Sequence, residues 1–136
     1  MNQVVTFQEI ECNNGKTIAF MTLNSPKSLN ALSVDMINLI YPKLTQWKAQ
    51  ENIVAVFLQG KGDKAFCAGG DIVHIYNDMI SDIGKFTPSL ENYFTMEYEL
   101  DHFIHTFNKP FIVWGSGIVM GGGLGLMVGG SHRVVT

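Results

Sequence analysis

The chain has 136 residues, of which 46% are hydrophobic and 15% charged, and its formal net charge is −3. That length suits one domain, by the rule of about 100–200 residues each, and the lack of a Lys/Arg-rich run disfavours a nucleic-acid-binding protein. The first residues have neither the order of a secretory signal nor the composition of a transit peptide, so we expect a cytoplasmic location. Cys12 and Cys67 lack metal-ligand spacing, which predicts reduced thiols and no metal site.

Two β-rich runs open the chain, at 4–10 and 16–23, and Asn13-Asn14-Gly15 separates them. An Asn-Gly pair supplies the positive φ angles of a tight hairpin turn, so we expect two antiparallel strands.

A helix is predicted next, because Ser33 can cap it and apolar residues then recur with a 3.6-residue period. Pro42 lies inside this pattern, so we expect a kink or break near Ile40.

The second half of the chain alternates apolar runs with helical patterns. The run 53–58 predicts a central strand buried on both faces. A helix over about 90–107 places Phe94, Tyr98 and Asp101 on successive turns, with Asp101 and His105 in a surface contact. Lys109-Pro110 ends that helix and a buried strand begins. The whole order, hairpin, helix, strand, helix, strand, helix, strand, predicts an α/β fold.

The segment 110–130 contains 21 residues without a charge, which is long enough to span a bilayer. Its eight glycines and its initial proline are instead typical of a buried strand, a tight turn and a closely packed helix. We favour the second interpretation, and no membrane association is expected.

Two glycine clusters, KAFCAGGD at 64–71 and GIVMGGG at 117–123, each lie between a predicted strand and a predicted helix. Neither matches the dinucleotide-binding or P-loop spacing. Glycine lets backbone N–H groups approach an oxygen without a Cβ in the way. Two such donors directed at one carbonyl would form an oxyanion hole.

Several segments resemble the crotonase (enoyl-CoA hydratase/isomerase) superfamily, and within it the 3-hydroxyisobutyryl-CoA hydrolase branch. These segments are LNSPKSLNALS (23–33), KAFCAGGDI (64–72), KPFI (109–112), GIVMGGGLGL (117–126) and GSHRVVT (130–136). The resemblance implies a spiral of ββα units, of which residues 1–136 form the N-terminal part as a single partial domain.

The resemblance also implies a site for an acyl-CoA. The backbone N–H groups of Gly70 and Gly122 would hold the thioester oxygen, and Glu97 would contact the substrate. The other implied substrate-binding positions are Gly69, Asp71, Gly121, Asn30, Ala31, Leu32, Ala68 and Ile72. Coenzyme A enters as part of the substrate, and no separate cofactor is implied.

One departure from the hydratase pattern is position 125, where hydratases carry a catalytic glutamate and this chain has glycine. The hydrolase branch takes its two catalytic carboxylates from a segment after the HRVVT strand, so we expect that 136 residues alone bind an acyl-CoA but hydrolyse it poorly. A non-catalytic CoA-binding or assembly remnant is the alternative, and enoyl-CoA hydration is disfavoured. Apolar strands left without partners predict a homo-oligomer.

Some of the same residues have simpler structural interpretations. The glycines can serve turns alone, Cys67 suits a small buried thiol, and Asp71 suits a helix cap. Ser131 and His132 are not expected to form a nucleophile pair, because adjacent side chains in a strand face opposite sides.

Overall fold

A computed structural model describes residues 3–136. Its strands and helices follow the order β1 (Val5–Glu11), β2 (Thr17–Leu23), α1 (Val34–Ala49), β3 (Ile53–Gly60), β4 (Ala65–Cys67), α2 (Ile72–Ser81), α3 (Pro88–His105), β5 (Phe111–Gly115), β6 (Ile118–Val119), α4 (Gly122–Gly129) and β7 (His132–Val135). A short 3-10 helix at Pro26–Ser28 lies before α1.

Five strands form the main sheet in the order β1-β2-β3-β5-β7. The pair β1 and β2 is antiparallel, and the other neighbours are parallel. The short strands β4 and β6 form a second sheet of two strands. Strand, short strand and helix therefore occur twice, as β3-β4-α2 and β5-β6-α4, which confirms the α/β class and the ββα units.

The hairpin is confirmed, but its turn differs from the expected one. Gly15 has a φ of 72°, whereas no positive φ occurs at Asn14. The Cys12 N–H donates to the Lys16 carbonyl at 2.6 Å and the Gly15 N–H to the Cys12 carbonyl at 3.1 Å. These bonds enclose a loop that is longer than the tight Asn-Gly turn that was expected, and in this loop only the glycine needs the left-handed conformation.

Helix α1 begins as predicted, because the Ser33 hydroxyl accepts the Met36 N–H at 3.2 Å. It continues without a break past Pro42, and the bend expected near Ile40 stays a prediction. Its inward face packs on the sheet and carries fully buried side chains, namely Met36, Ile40, Leu44 and Trp47. Burial of this stripe offsets the one backbone hydrogen bond that proline removes.

Strand β3 is central in the sheet, as predicted, but it is not buried on both faces. Val56 and Leu58 are fully buried on the α1 side, whereas Ala55 and Phe57 on the other face are only half-buried. Phe57 packs against Phe20 and Trp114 on the neighbouring strands. The core therefore lies on one side of the main sheet, beneath α1, α3 and α4.

The uncharged segment 110–130 is divided among β5, β6 and α4, as the favoured interpretation predicted. No helix in the part of the chain that the structure describes is long and apolar enough to cross a membrane. Two short strands, β4 and β6, were not predicted, and helices α2 and α3 occupy the interval where one helix was assigned.

Candidate active site

The first glycine loop joins β4 to α2 and is held by the segment that precedes α1. Leu32 donates its N–H to the Gly69 carbonyl at 2.8 Å and accepts the Asp71 N–H at 3.1 Å. Because both bonds go to the residues that flank Gly70, the Gly70 N–H is directed away from Leu32. Gly69 has a φ of 119°, which an L side chain rarely adopts.

The second glycine loop forms the N-terminus of α4. Gly121 has a φ of 53° and is the N-cap, and Gly122 is the first helical residue. N–H groups in a first helical turn lack intrahelical acceptors and carry partial positive charge. Within residues 3–136, neither the Gly70 N–H nor the Gly122 N–H donates to a backbone carbonyl.

The two loops touch each other. A Cβ on Gly121 would lie 3.3 Å from the Gly69 Cα, and a Cβ on Gly122 would lie 3.6 Å from the Gly70 nitrogen. The structure thus brings Gly69, Gly70, Gly121 and Gly122 together, with two backbone donors beside one small space.

Helix α3 passes both loops and contacts a glycine on each. A Cβ on Gly70 would lie 2.6 Å from the Tyr93 hydroxyl, and a Cβ on Gly122 would overlap Glu97 Oε1. Tyr93 donates its hydroxyl to the Leu32 carbonyl at 2.8 Å and accepts the Asp71 N–H at 3.3 Å. The side chains of α3 therefore form the wall of the space between the loops.

The contact between α3 and α4 continues beyond the site. A Cβ on Gly125 would overlap the Asp101 carboxylate, and a Cβ on Gly129 would lie 3.1 Å from Ile104 Cγ2. Asp101 forms no ion pair with His105 within residues 3–136. The two residues border the same depression, and the Asp101 carboxylate lies against Gly125 of α4.

Burial shifts the titration of both carboxyl groups on this face of α3. Glu97 is 7% exposed, and desolvation raises its pKa. Desolvation and then the charge of Glu97 raise the pKa of Asp101 to about 6. Asp101 Oδ1 is buried and has no hydrogen-bond partner among the described residues. Perturbed acids beside a cleft are typical of functional sites.

Two other buried groups at the site are unsuited to ionise near neutral pH. Burial raises the pKa of the Cys67 thiol to about 11, so it is a buried thiol as predicted, not a nucleophile. Burial and the charge of Glu97 raise the pKa of Tyr93 to about 12. Asp71 caps α2 by accepting the His74 N–H at 3.1 Å, as predicted.

The predicted CoA-binding segments 30–32 and 68–72 lie side by side. Leu32 bridges to Gly70, and the Ala68 N–H donates to the Leu29 carbonyl at 3.0 Å. Ala31 is half-buried next to Leu32, whereas Ile72 is 69% exposed at the start of α2. Backbone atoms of both segments border the glycine loops.

Asn30 has a structural role. Its side chain is fully buried and accepts the Ser25 N–H at 2.9 Å. Its amide nitrogen donates to the carbonyls of Lys61 and Ala65, both at 3.0 Å. The φ of 54° at Asn30 is one that asparagine tolerates better than most residues. Because all three bonds are made within the chain, its amide is not available to a ligand.

The chain matches the family described as enoyl-CoA hydratase/isomerase over residues 18–136. It belongs to this family. Both glycine loops, α3 and the two ββα units lie within the residues that match the family.

Similar proteins include 3-hydroxyisobutyryl-CoA hydrolase, mitochondrial, of Gallus gallus, 45% identical over 85% of this chain and 29% of that protein. Small ribosomal subunit protein mS47 of Neurospora crassa is 33% identical over 95% of this chain and 25% of that protein. The crystal structure of a carnitinyl-CoA dehydratase from Mycobacterium thermoresistibile aligns with a TM-score of 0.86 and 34% identity, covering 98% of this chain and 37% of that one. The chain thus spans less than a third of the curated relatives' length.

Three features of this family member's site were missed by sequence reasoning. Tyr93 and Asp101 lie four residues before and after Glu97 on α3. Residues four apart share one face of a helix, so the position of Glu97 could have indicated both of them. Lys27, Lys61 and Lys64 border a cavity of about 240 Å³ next to Asn30. These lysines lie on separate loops, so no run of basic residues indicated them.

The pair Ser131 and His132 also differs from expectation. Ser131 Oγ lies 2.9 Å from His132 Nδ1, because Ser131 precedes β7 and is not inside a strand. The same hydroxyl accepts the Phe111 N–H at 2.8 Å. It therefore ties β5 to the start of β7, away from the glycine loops. Within residues 3–136 no cluster of three His, Cys, Asp or Glu side chains has the arrangement of a metal site.

Proposed function

We propose that this protein binds an acyl-CoA and hydrolyses its thioester, as an enzyme of the 3-hydroxyisobutyryl-CoA hydrolase type. The observation that carries the proposal is the meeting of the Gly70 and Gly122 backbones, where two N–H groups without backbone acceptors adjoin one space. A thioester oxygen in that space would receive two hydrogen bonds as it becomes negatively charged. One such donor contributes about 10²–10³ in rate in other acyl-transfer enzymes.

The charges around the space support this assignment. The N-terminus of α4 places partial positive charge next to the Gly122 N–H. Glu97 Oε1 lies against Gly122, and desolvation by burial raises the pKa of its carboxyl. Glu97 is accordingly proposed to contact the substrate as a hydrogen-bond partner and not as a base.

The rest of coenzyme A requires a surface for its phosphates. We propose that Lys27, Lys61 and Lys64 provide it, because these three lysines border one cavity beside Asn30 and outnumber the acidic Asp63 in its lining. Clustered ammonium groups attract phosphate by simple charge complementarity. The backbones of Gly69, Asp71, Ala68 and Ile72 would then lie between this cavity and the thioester.

A second candidate is a non-catalytic role in binding CoA or in assembly. It is favoured by the likeness to a protein named as a small ribosomal subunit protein, and by Gly125, which leaves α4 without a carboxylate. Self-association and a cytoplasmic location stay predictions. The first is supported by α2, which has no buried residue and exposes Ile72, Val73, Tyr76, Met79 and Ile80.

The deciding experiment incubates the 136-residue chain with 3-hydroxyisobutyryl-CoA. Chromatography measures released CoA, and calorimetry measures binding. Release above the uncatalysed rate supports the hydrolase, whereas binding without release supports the non-catalytic candidate. Lack of any binding contradicts both. Loss of enoyl absorbance when crotonyl-CoA replaces the substrate would instead indicate a hydratase.

A further inference from the structure

The main sheet has a second face, which points away from the core. The buried core residues of the strands, and the half-buried residues packed on them, alternate with the side chains of this outer face. Strand pairing places apolar side chains of β1, β2, β3 and β5 next to one another there, and we call these residues the outer patch: Ile10, Ile18, Phe20, Phe57, Ile112 and Trp114.

The centre of the outer patch is aromatic. The ring centroid of Phe57 lies 5.2 Å from that of Phe20 and 6.2 Å from that of Trp114. Trp114 is 38% exposed and Ile10 42% exposed, whereas the other four side chains are half-buried. The large apolar groups of the patch therefore pack against one another across the strands and still contact solvent.

The border of the outer patch is polar but uncharged. The strand registers place Thr6, Gln8, Thr22, Gln59 and His132 around it, and Gln59 Nε2 donates to Thr22 Oγ1 at 3.2 Å. An apolar patch bordered by polar residues marks an interaction surface. Enrichment in aromatic residues and depletion of charged ones are typical of the buried centre of a protein interface.

The lack of charge favours a second copy of this chain as the partner. In a two-fold dimer the same surface meets itself, so any Asp, Glu, Lys or Arg near the axis would approach its own copy. No such residue occupies the paired strand positions of this face in residues 3–136. Two outer patches can therefore meet without like-charge repulsion.

The size of the face suits a dimer of modest affinity. The main sheet has five strands. With strands about 4.8 Å apart and about 20 Å long, the face covers on the order of 500 Å² in each copy. Two copies would bury on the order of 1,000 Å², which is near the lower limit for a specific interface. Sheets that pack face to face lie about 10 Å apart, which lets their side chains interdigitate.

We propose that the outer face of the main sheet is a dimer interface, on which two copies of this chain pack their sheets together around Phe57. The outer patch of each copy is then removed from water by the outer patch of the other. This inference does not depend on the proposed function. It assigns self-association to the main sheet and not to the exposed apolar residues of α2.

The test is analytical ultracentrifugation of the 136-residue chain and two variants. The wild type should dimerise with a dissociation constant on the order of 100 µM, as an interface of this size implies. Trp114→Lys should weaken the dimer at least about 10-fold, because the ammonium group would lose its water in the interface. Val73→Lys is the matched control, since it adds the same charge at a 70% exposed position on α2, and it should dimerise as wild type does.

The remaining outcomes overturn the proposal. A wild type that stays monomeric at millimolar concentration has no such interface. Loss of the dimer in Val73→Lys but not in Trp114→Lys assigns self-association to α2. Equal weakening in both variants means that the added charge acts without regard to its position.

The wild type offers a second readout that needs no variant, and it decides the question should Trp114→Lys not fold. Its two tryptophans are Trp114 and the fully buried Trp47. Dimerisation through the outer patch should shield Trp114, so quenching of tryptophan fluorescence by acrylamide should decrease as the dimer forms. A dimer whose tryptophan fluorescence is quenched as strongly as that of the monomer overturns the proposed interface.

Discussion

The two glycine loops are alike in sequence but meet different chemistry on α3. In each loop the first glycine has a positive φ, 119° at Gly69 and 53° at Gly121, and makes the turn. The second glycine of each loop, Gly70 or Gly122, lacks the Cβ that would collide with a side chain of α3. Gly70 faces the neutral hydroxyl of Tyr93, whereas Gly122 faces the carboxyl of Glu97.

The difference also extends to the helices that follow the loops. The first loop leads into α2, which has no buried residue, whereas the second leads into α4, where Gly122, Gly123, Leu126 and Met127 are buried. The Tyr93 hydroxyl is satisfied by two hydrogen bonds to the chain, whereas Asp101 Oδ1, opposite Gly125, has no partner among the described residues. The first loop is thus fixed by internal bonds, and the second presents unsatisfied polar groups to a ligand.

The comparison predicts its largest effect at Gly122. In Gly122→Ala the methyl group would lie 3.6 Å from the Gly70 nitrogen, in the space proposed for the thioester oxygen. CoA release should fall about 10²–10³-fold, as when one oxyanion donor is lost. Chromatographic measurement of CoA gives the rate, and urea unfolding gives the stability.

Gly123→Ala is the control within the same loop. Its Cβ would overlap the Cys67 backbone carbonyl, which is not a flexible side-chain end, so it should destabilise the fold by about 1–3 kcal/mol. Gly122→Ala meets only the movable end of Glu97 and should unfold near the wild-type urea concentration. An unimpaired rate in Gly122→Ala would mean that the second loop is merely structural.

The two glycine loops could be predicted from the sequence, but the wall of α3 side chains that they share could not. A glycine cluster between a strand and a helix is a local signal, and the resemblance to the family then indicated the positions of Gly69 and Gly121. The contacts of Tyr93 and Asp101 depend on how closely α3 approaches α4, which is a tertiary property. Helical periodicity marks Tyr93 as buried, yet it does not say which glycine the side chain will meet.

Two features of the fold depend on packing that a local pattern does not show. Pro42 alone would permit a break in α1, whereas burial of Met36, Ile40 and Leu44 stabilises a continuous helix. The burial expected on both faces of β3 assumed a covered sheet, and Phe57 is only half-buried because the described helices pack on the opposite side. In both cases packing between distant segments decides the outcome, and a local pattern does not encode it.

The second effect concerns the pH dependence of stability near neutral pH, to which the second loop should contribute through Asp101 and the first loop, through Tyr93, should not. Asp101 has an ordinary pKa of 3.8 that is raised to about 6 in the fold, so between these values the folded state binds more protons. Wild-type stability therefore falls as pH rises through that window, by roughly 1–2 kcal/mol once the partial exposure of the carboxyl to solvent is allowed for. Asp101→Asn has no charge to desolvate, so it should be more stable than wild type at pH 8.

At pH 4 the advantage of Asp101→Asn should vanish, since the wild-type carboxyl is then protonated in the fold. Urea unfolding at the two pH values measures both differences. If wild type and Asp101→Asn differed in stability by the same amount at pH 4 and pH 8, the Asp101 carboxyl would be as well solvated in the fold as in the unfolded chain. The contrast between the loops would then disappear.

The smallest effect is expected at the first loop. Tyr93→Phe removes the hydroxyl that bonds the Leu32 carbonyl and the Asp71 N–H, which should destabilise the protein by about 1–2 kcal/mol. Because burial raises the pKa of Tyr93 to about 12, the loss should be the same at pH 5 and pH 8. Urea unfolding of both proteins at these pH values measures it. A loss that grows with pH would mean that the hydroxyl takes part in the ionisation of Glu97, and the two loops would then form one coupled unit.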